Sequence, residues 1–296
     1  MIRLNVFTAL RQGTEILEKE NISAPRLTAE VLLAHALRCE RVDLYAHPER
    51  ELTLAEQAHY GRCLHERLAR KPVQYITGRQ EFYGRMFSVS PAVLIPRPET
   101  ELVVEAALRY AAAARRILDA GTGSGCLAVT LKKEWPHAAT FASDISVAAL
   151  RVAEENARRL EADVHFFCGN LLDACRAQEM DLIVSNPPYV PEEELAGLPP
   201  EVREYEPMAA LYGGRIGTEI YERLLAAARR VLRPGGWLIT ELAYNGRPKI
   251  EPLIGECWSR VIFERDLAGL DRVLVLQKAG RDDTPGGPCH CPPGNC

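Results

Sequence analysis

Over the first 75 positions apolar residues recur at three- and four-residue spacing, the period of helices. Leu10, Ile16 and Leu17 form one stripe, and Ala29, Leu32, Leu33, Ala36 and Leu37 form another. Ser23 or Thr28 is the candidate cap of the second helix, and Thr53 with Glu56 makes a capping-box pattern for a third. Residues 1–75 therefore read as a small helical bundle. Residues 76–95 change character: 82–84 and 86–90 suggest a β-hairpin linking this bundle to the C-terminal part of the chain.

After Pro96 and Pro98 the pattern alternates. Short apolar runs at 116–119, 140–143, 164–167, 182–185, 237–242, 260–264 and 273–277 predict strands. Helical periods at 99–114, 124–134, 146–160 and 218–232 fall between most of them. Such alternation predicts an α/β domain over 96–279, a doubly wound and mostly parallel seven-stranded sheet with helices on both faces. No helix separates the last two strands, so one of them should run antiparallel. Residues 280–296 carry no aliphatic side chain and are rich in Pro and Gly, the composition of a disordered tail.

Composition changes this picture little. The chain has 296 residues, 47% of them hydrophobic and 26% charged, with a formal net charge of -4. Residues 1–75 hold 11 Lys and Arg against 10 Asp and Glu, so the bundle has no basic stripe for nucleic acid. No run of about 18 apolar residues predicts a membrane span, and the N-terminal segment reads as an amphipathic helix rather than a secretory signal. Six of the nine cysteines are scattered through apolar or helical stretches, as reduced thiols would be, which points to the cytoplasm. Cys289, His290, Cys291 and Cys296 are four metal donors in the tail, but they lack the paired spacing of a structural zinc site, and no metal is assigned.

Three motifs carry chemistry. Asp119 is followed by Gly121, Thr122, Gly123, Ser124 and Gly125 where a strand gives way to a helix. Glycines there let a ligand approach the backbone, and the helix start favours a polar or anionic group. Cys126 stands where a dinucleotide fingerprint has its third glycine, which argues against a nicotinamide enzyme. Asp119 is placed to take an amino group. Asp144 ends the next strand, 23 residues after Gly121, the usual place of a carboxylate that accepts from ribose hydroxyls. Its alternative role is to cap the 146–160 helix, although Ser146 can do that.

The third motif is Asn186, Pro187, Pro188 and Tyr189, directly after a buried strand. Two prolines remove two backbone donors and fix two φ angles, making a rigid corner. Such a corner aims the Asn186 side-chain oxygen and the Pro187 carbonyl into one space. Two acceptors suit a planar NH2 group, and Tyr189 offers a face to stack on it. In the doubly wound order the first and fourth strands are neighbours, so this corner and the glycine turn should open on one crevice.

The segment 94–101, holding Ile95, Pro96, Arg97, Pro98, Glu99 and Thr100, together with 119–125, Asp144 to Ser146, and 185–189, resembles the HemK/PrmC methyltransferases. Glu206-Pro207, Ala210-Leu211 and 265–269 extend the likeness over about residues 1–278. The resemblance implies a class I (Rossmann-like) methyltransferase fold behind a helical substrate-binding domain. It also implies an enzyme that moves a methyl group from S-adenosyl-L-methionine to N5 of the glutamine in the GGQ motif of class-1 peptide chain release factors, leaving S-adenosyl-L-homocysteine. By the same analogy the cofactor lies on Asp119, Gly121, Thr122, Gly123, Ser124, Gly125, Asp144, Asn170, Leu171 and Asn186. Asn186, Pro187 and Tyr189 are the catalytic candidates, and the glutamine sits against Asn186, Pro187, Pro188 and Tyr189 with Arg97 close by. Asn170 stands where many methyltransferases have an Asp that accepts from the adenine amino group, yet its side-chain oxygen still accepts a hydrogen bond.

The rival readings are a ribosomal-protein glutamine methyltransferase, an adenine-N6 DNA methyltransferase and a non-catalytic adaptor for translation factors. An entry motif unlike 95–100 would be expected of the first, and the second needs a basic cleft that the near-neutral extra domain lacks. An adaptor has no need for a cofactor turn and a rigid acceptor corner together. The expected protein is a cytoplasmic monomer that binds a release factor and touches neither nucleic acid nor membrane.

Overall fold

A computed structural model describes residues 4–280; the tail with Cys289, His290, Cys291 and Cys296 lies outside the described residues. The chain divides into two compact units. One runs to Arg79 and includes Leu198–Tyr205; the other comprises Gln80–Gly197 and the chain from Glu206 on.

The first unit is helical. α1 (Val6–Lys19), α2 (Pro25–Leu37), α3 (Arg41–Ala46), α4 (Leu54–Leu68) and α5 (Val73–Thr77) enclose a core of Leu10, Leu17, Leu32, Leu33 and Leu64. The Thr53–Glu56 capping box is formed. Neither Ser23 nor Thr28 caps α2: Ala24 takes that place in a left-handed conformation, Pro25 starts the helix, and Thr28 is buried inside it. Pro at the first helical position costs no hydrogen bond there, and its fixed φ is already helical. Ile16 is 40% exposed and not part of the apolar stripe. The buried face of α1 runs Val6, Leu10, Gly13, Leu17, and Gly13 belongs to it because Tyr60 packs there. A Cβ at position 13 would stand 2.0 Å from the Tyr60 hydroxyl.

The hairpin is β1 (Arg79–Phe82) and β2 (Arg85–Ser88). Tyr83 and Gly84, both with positive φ, form its two-residue turn rather than extending the strands. The second unit then runs α6 (Glu101–Tyr110), β3 (Arg116–Ala120), α7 (Cys126–Glu134), β4 (Ala139–Asp144), α8 (Val147–Arg159), β5 (Val164–Cys168), β6 (Met180–Ser185), β7 (Val190–Pro191) and α9 (Glu192–Leu195). Short α10 (Pro200–Arg203) belongs to the first unit; its Glu201 pairs with the buried guanidinium of Arg67 at 2.9 Å. β8 (Tyr212–Gly214), α11 (Glu219–Val231), β9 (Leu232–Glu241), α12 (Arg247–Ile250), β10 (Trp258–Arg265) and β11 (Asp271–Lys278) complete the fold.

Seven strands form one sheet in the order β10-β11-β9-β6-β3-β4-β5. β3, β4, β5, β6 and β9 are parallel, and β11 runs antiparallel to both β9 and β10. β6 is buried along its whole length, as expected of a central strand with helices on both faces. β9 starts five residues earlier than its apolar run, because Pro234, Gly235 and Gly236 bulge out between the pairs Met180–Leu232 and Leu182–Trp237. α6 ends at Tyr110, short of the predicted 114. No helix among the described residues is long and apolar enough to cross a membrane.

Candidate active site

β3 and β6 are adjacent and parallel, so the two loops that leave their carboxyl ends open side by side. The hydroxyl of Ser185 donates to the Ala120 carbonyl at 2.7 Å and ties the strand ends together. Between the loops lies a cavity of about 320 Å³, within the range of small-molecule sites. Asp119, Gly121, Thr122, Gly123, Ser124, Asp144, Asn170, Leu171, Asn186 and Pro188 all line it. Gly125, Pro187, Tyr189 and Arg97 do not. Gly125 supports the turn from behind: with φ of 82° it packs on α8, where a Cβ would stand 3.1 Å from that of Ala153. It thus fills the close-packing role that Cys126 cannot.

Asp119 is the buried acid in the lining of this cavity. Its Oδ2 accepts from the Thr122 hydroxyl at 2.6 Å and from the Ala128 amide at 3.1 Å. Its Oδ1 is buried and, among the described residues, has no partner. A buried carboxylate oxygen left unpaired is costly, and a ligand amino group would satisfy it. Burial, opposed by those two hydrogen bonds, pushes the Asp119 carboxyl up to about 7. Asp144 accepts from the Gly123 amide at 2.9 Å and from the Ser146 amide at 2.8 Å, tying the glycine turn to the end of β4. Ser146 caps α8, so Asp144 is not needed for that and keeps acceptor capacity for the cavity.

The corner at Asn186 is held from three sides. The Val190 amide donates to the Leu211 carbonyl, pairing β7 with β8. Gly213 and Gly217 press on the chain here: a Cβ on Gly213 would lie 2.6 Å from the Tyr189 Cα, and one on Gly217 would lie 2.6 Å from the Tyr189 carbonyl oxygen. Inside, the Asn186 Nδ2 donates to the Thr100 hydroxyl at 3.1 Å, and that hydroxyl donates to Glu241 Oε2 at 2.5 Å. A carboxylate only accepts, so Thr100 must give its proton to Glu241 and use its oxygen to receive from Asn186. The amide is thereby oriented with its nitrogen towards Thr100, leaving Oδ1 to accept from a ligand.

Glu241 is 3% exposed; burial, with Glu99 adding to it and Thr100, Arg272 and Arg97 opposing, pushes its carboxyl up to about 7. Burial and the nearby Glu241 also raise the Tyr189 hydroxyl well above its ordinary value, so it stays a neutral phenol. Arg97 is ion-paired with buried Glu206, whose other oxygen accepts from the Ile95 amide at 3.2 Å. Glu206 therefore staples the 95–97 segment into place.

Comparison with known proteins agrees with this architecture. Residues 8–78 match the model of the PrmC N-terminal domain, and residues 98–197 match that of the methyltransferase small domain. A release factor glutamine methyltransferase of Koribacter versatilis is 46% identical over 265 residues, 88% of this chain and 94% of that protein. One from Geobacter sulfurreducens is 44% identical over 263 residues, covering 87% and 91%. The chain belongs to the release factor glutamine methyltransferase family.

Solved structures define the fold of this family member. The hMettl16 catalytic domain, crystallised with an RNA hairpin, superposes with a TM-score of 0.54 at 16% identity, over 74% of this chain and 91% of that one. The T. thermophilus 16S rRNA methyltransferase RsmC, in complex with AdoMet and guanosine, gives 0.50 at 18% identity over 69% and 50%. The sheet is that of a class I (Rossmann-like) methyltransferase, as the resemblance implied.

Two residues of this candidate site, Thr100 and Glu241, were not singled out by sequence pattern. Thr100 was visible only as part of a motif, without a task. Glu241 sat inside an apolar strand run, and an acid in such a run is itself a signal, since an unpaired buried carboxyl is rarely tolerated.

Proposed function

We propose that this chain transfers the methyl group of S-adenosyl-L-methionine to the side-chain amide nitrogen N5 of the glutamine in the GGQ motif of class-1 release factors. The observation that carries the reading is the Asn186 amide pinned by Thr100, in the lining of a cavity shared with Asp119 and its unpaired Oδ1.

The cofactor supplies an electrophilic methyl on a sulfonium. Asp119 receives its amino group, the turn at 121–125 accommodates the amino-acid portion, Asp144 accepts from the ribose hydroxyls, and Asn170 and Leu171 border the adenine. An amide nitrogen is a poor nucleophile because its lone pair is delocalised into the carbonyl. Asn186 Oδ1 and the Pro187 carbonyl accept from its two N–H groups, orienting the nitrogen and favouring the positive charge that builds on it. The N–CH3 bond forms as the S–CH3 bond breaks, and the nitrogen then loses one proton to solvent. A pinned acceptor needs no reorganisation during this step. Tyr189, kept neutral, borders the planar group. The glutamine-bearing loop belongs to a protein partner, and the helical unit is the surface assigned to hold it.

The deciding experiment is methyl transfer from labelled S-adenosylmethionine to a class-1 release factor, wild type against a Gln→Ala change in its GGQ motif. Label on the first alone is expected; label on both would move the target elsewhere. Asn186→Ala should lower kcat about 10²–10³-fold, roughly 3–4 kcal/mol in the barrier, with the fold intact.

A further inference from the structure

Among the described residues outside the methyl-transfer cavity, one cluster has the donor chemistry of a metal centre: His35, His59 and Cys63. His59 and Cys63 are four residues apart on α4, the spacing that puts two side chains on one helix face. His35 meets them from the last turn of α2. The candidate donor atoms of all three lie within 4.8 Å of one another. The two imidazoles stand edge to face, ring centroids 5.2 Å apart, and Cys63 is buried beside them.

Donors around one zinc ion sit roughly 3.3–3.8 Å apart at ordinary Zn–N and Zn–S lengths. Cys63 is fixed by the core, whereas both histidines are only half-buried, so modest side-chain rotations bring the set to that spacing. The chemistry fits as well. No hydrogen bond to another residue occupies either imidazole among the described residues. A cleft lined by Cys39, Glu40, Asp43 and Thr77 adjoins the pair of histidines, giving water access to a fourth coordination position. Glu40 and Asp43 there offset Arg38 and Arg79.

We propose that the helical unit binds one zinc-type divalent ion between α2 and α4 through His35, His59 and Cys63, with water as the fourth ligand. Two nitrogens and one sulfur select a borderline-soft ion over magnesium or calcium. Binding forms a metal–thiolate bond, and the Cys63 proton leaves to buffer. The ion cross-links α2 to α4, so it acts on the stability of the unit and is independent of the methyl-transfer reading.

Cobalt(II) is the probe, titrated into chelator-stripped, reduced full-length protein, because a cobalt–thiolate bond gives a near-ultraviolet charge-transfer band and a tetrahedral site gives intense visible bands. One equivalent should bind with both signatures, release about one proton, and raise Tm. Cys63→Ser should abolish the charge-transfer band. His35→Gln and His59→Gln, at half-exposed positions where folding is not at stake, should each weaken binding by more than about 10-fold, beyond the lower end of what outer-shell changes cost. Replacing Cys289, His290, Cys291 and Cys296 together should leave all of this unchanged. Loss of the bands in that tail variant and their persistence in the three ligand variants would overturn the proposal. So would the absence of any thiolate band in the wild type.

Discussion

The amide nitrogen of Asn186 lies 3.1 Å from the hydroxyl of Thr100, a residue 86 positions earlier in the chain. That contact decides which end of the Asn186 side chain faces the cavity, since the same hydroxyl is committed to Glu241. Thr100→Val keeps the shape but removes the hydroxyl, freeing the amide to turn over. We expect kcat to fall at least 10-fold with cofactor affinity little changed, and Thr100→Ser to restore most of it. Steady-state kinetics alongside cofactor titration separates the two; unchanged kcat in Thr100→Val would mean that Asn186 is held by other means.

The pinning depends on the charge of Glu241. As a carboxylate it can only accept from Thr100; once protonated it can donate instead, and Thr100 no longer dictates the amide's orientation. The groups facing Glu241 include Thr100, Glu99, Arg97, Arg272, Tyr189, Tyr221 and Cys126, and burial outweighs the two cations to place its carboxyl at about 7. At saturating cofactor, kcat should rise with pH through about 7. Glu241→Gln should be slower and lose that midpoint. A wild-type profile flat from pH 6 to 8 would contradict the coupling.

The same raised carboxyl has a stability consequence. The folded state binds the Glu241 proton more tightly than the unfolded chain, whose carboxyl has the ordinary value of 4.5. Its contribution is therefore fully present below that value and is lost as pH rises towards 7. Wild type should gain on Glu241→Gln in Tm as pH is lowered from 8 to 5. A gap that moves the other way would show that the buried carboxyl is stabilised ionised.

Asp119 should couple cofactor binding to protons. Burial raises its carboxyl to about 7 in the free chain, and a ligand ammonium group beside Oδ1 would draw it down. Binding near neutral pH should then release a proton, and the cofactor Kd should fall as pH rises from 6 to 7.5. Titration calorimetry in buffers of different ionisation enthalpy measures this directly. Asp119→Asn should abolish the proton release and weaken binding about 10-fold or more, equivalent to the roughly 1.5–3 kcal/mol of a hydrogen bond to a charged group.

Gly213 tests whether the corner is rigid because of its own prolines or because of what packs on it. A methyl group at this position has nowhere to go except into the Tyr189 backbone, 2.6 Å away. Gly213→Ala should cost about 1–3 kcal/mol of stability by overpacking and displace the corner, lowering kcat more than Tm alone would explain. Thermal unfolding and kinetics on one preparation suffice to check it.

Much of this protein was legible in the order of its residues. Alternating apolar runs imply a parallel sheet because strands buried on both faces read as near-continuous apolar stretches, and the glycine turn and double-proline corner are local backbone demands that residue type alone imposes. The Thr53–Glu56 and Ser146 caps were equally local. What local pattern misjudged was the cap of α2, where Ala24 holds the position without a side-chain bond and Pro25 starts the helix, and Ile16, which lies off the face that Gly13 and Tyr60 define. The positioning of the candidate site belongs to tertiary structure. Thr100, Asn186 and Glu241 come from three separate segments and meet only because β6 pairs with β9 and α6, which Thr100 leads into, packs on both strands. Likewise His35 joins His59 and Cys63 only because α2 packs on α4. Hydrogen bonds and burial depend on distance in space, which residue order does not carry; the type of each side chain was written in the sequence, and its partner was decided by the fold.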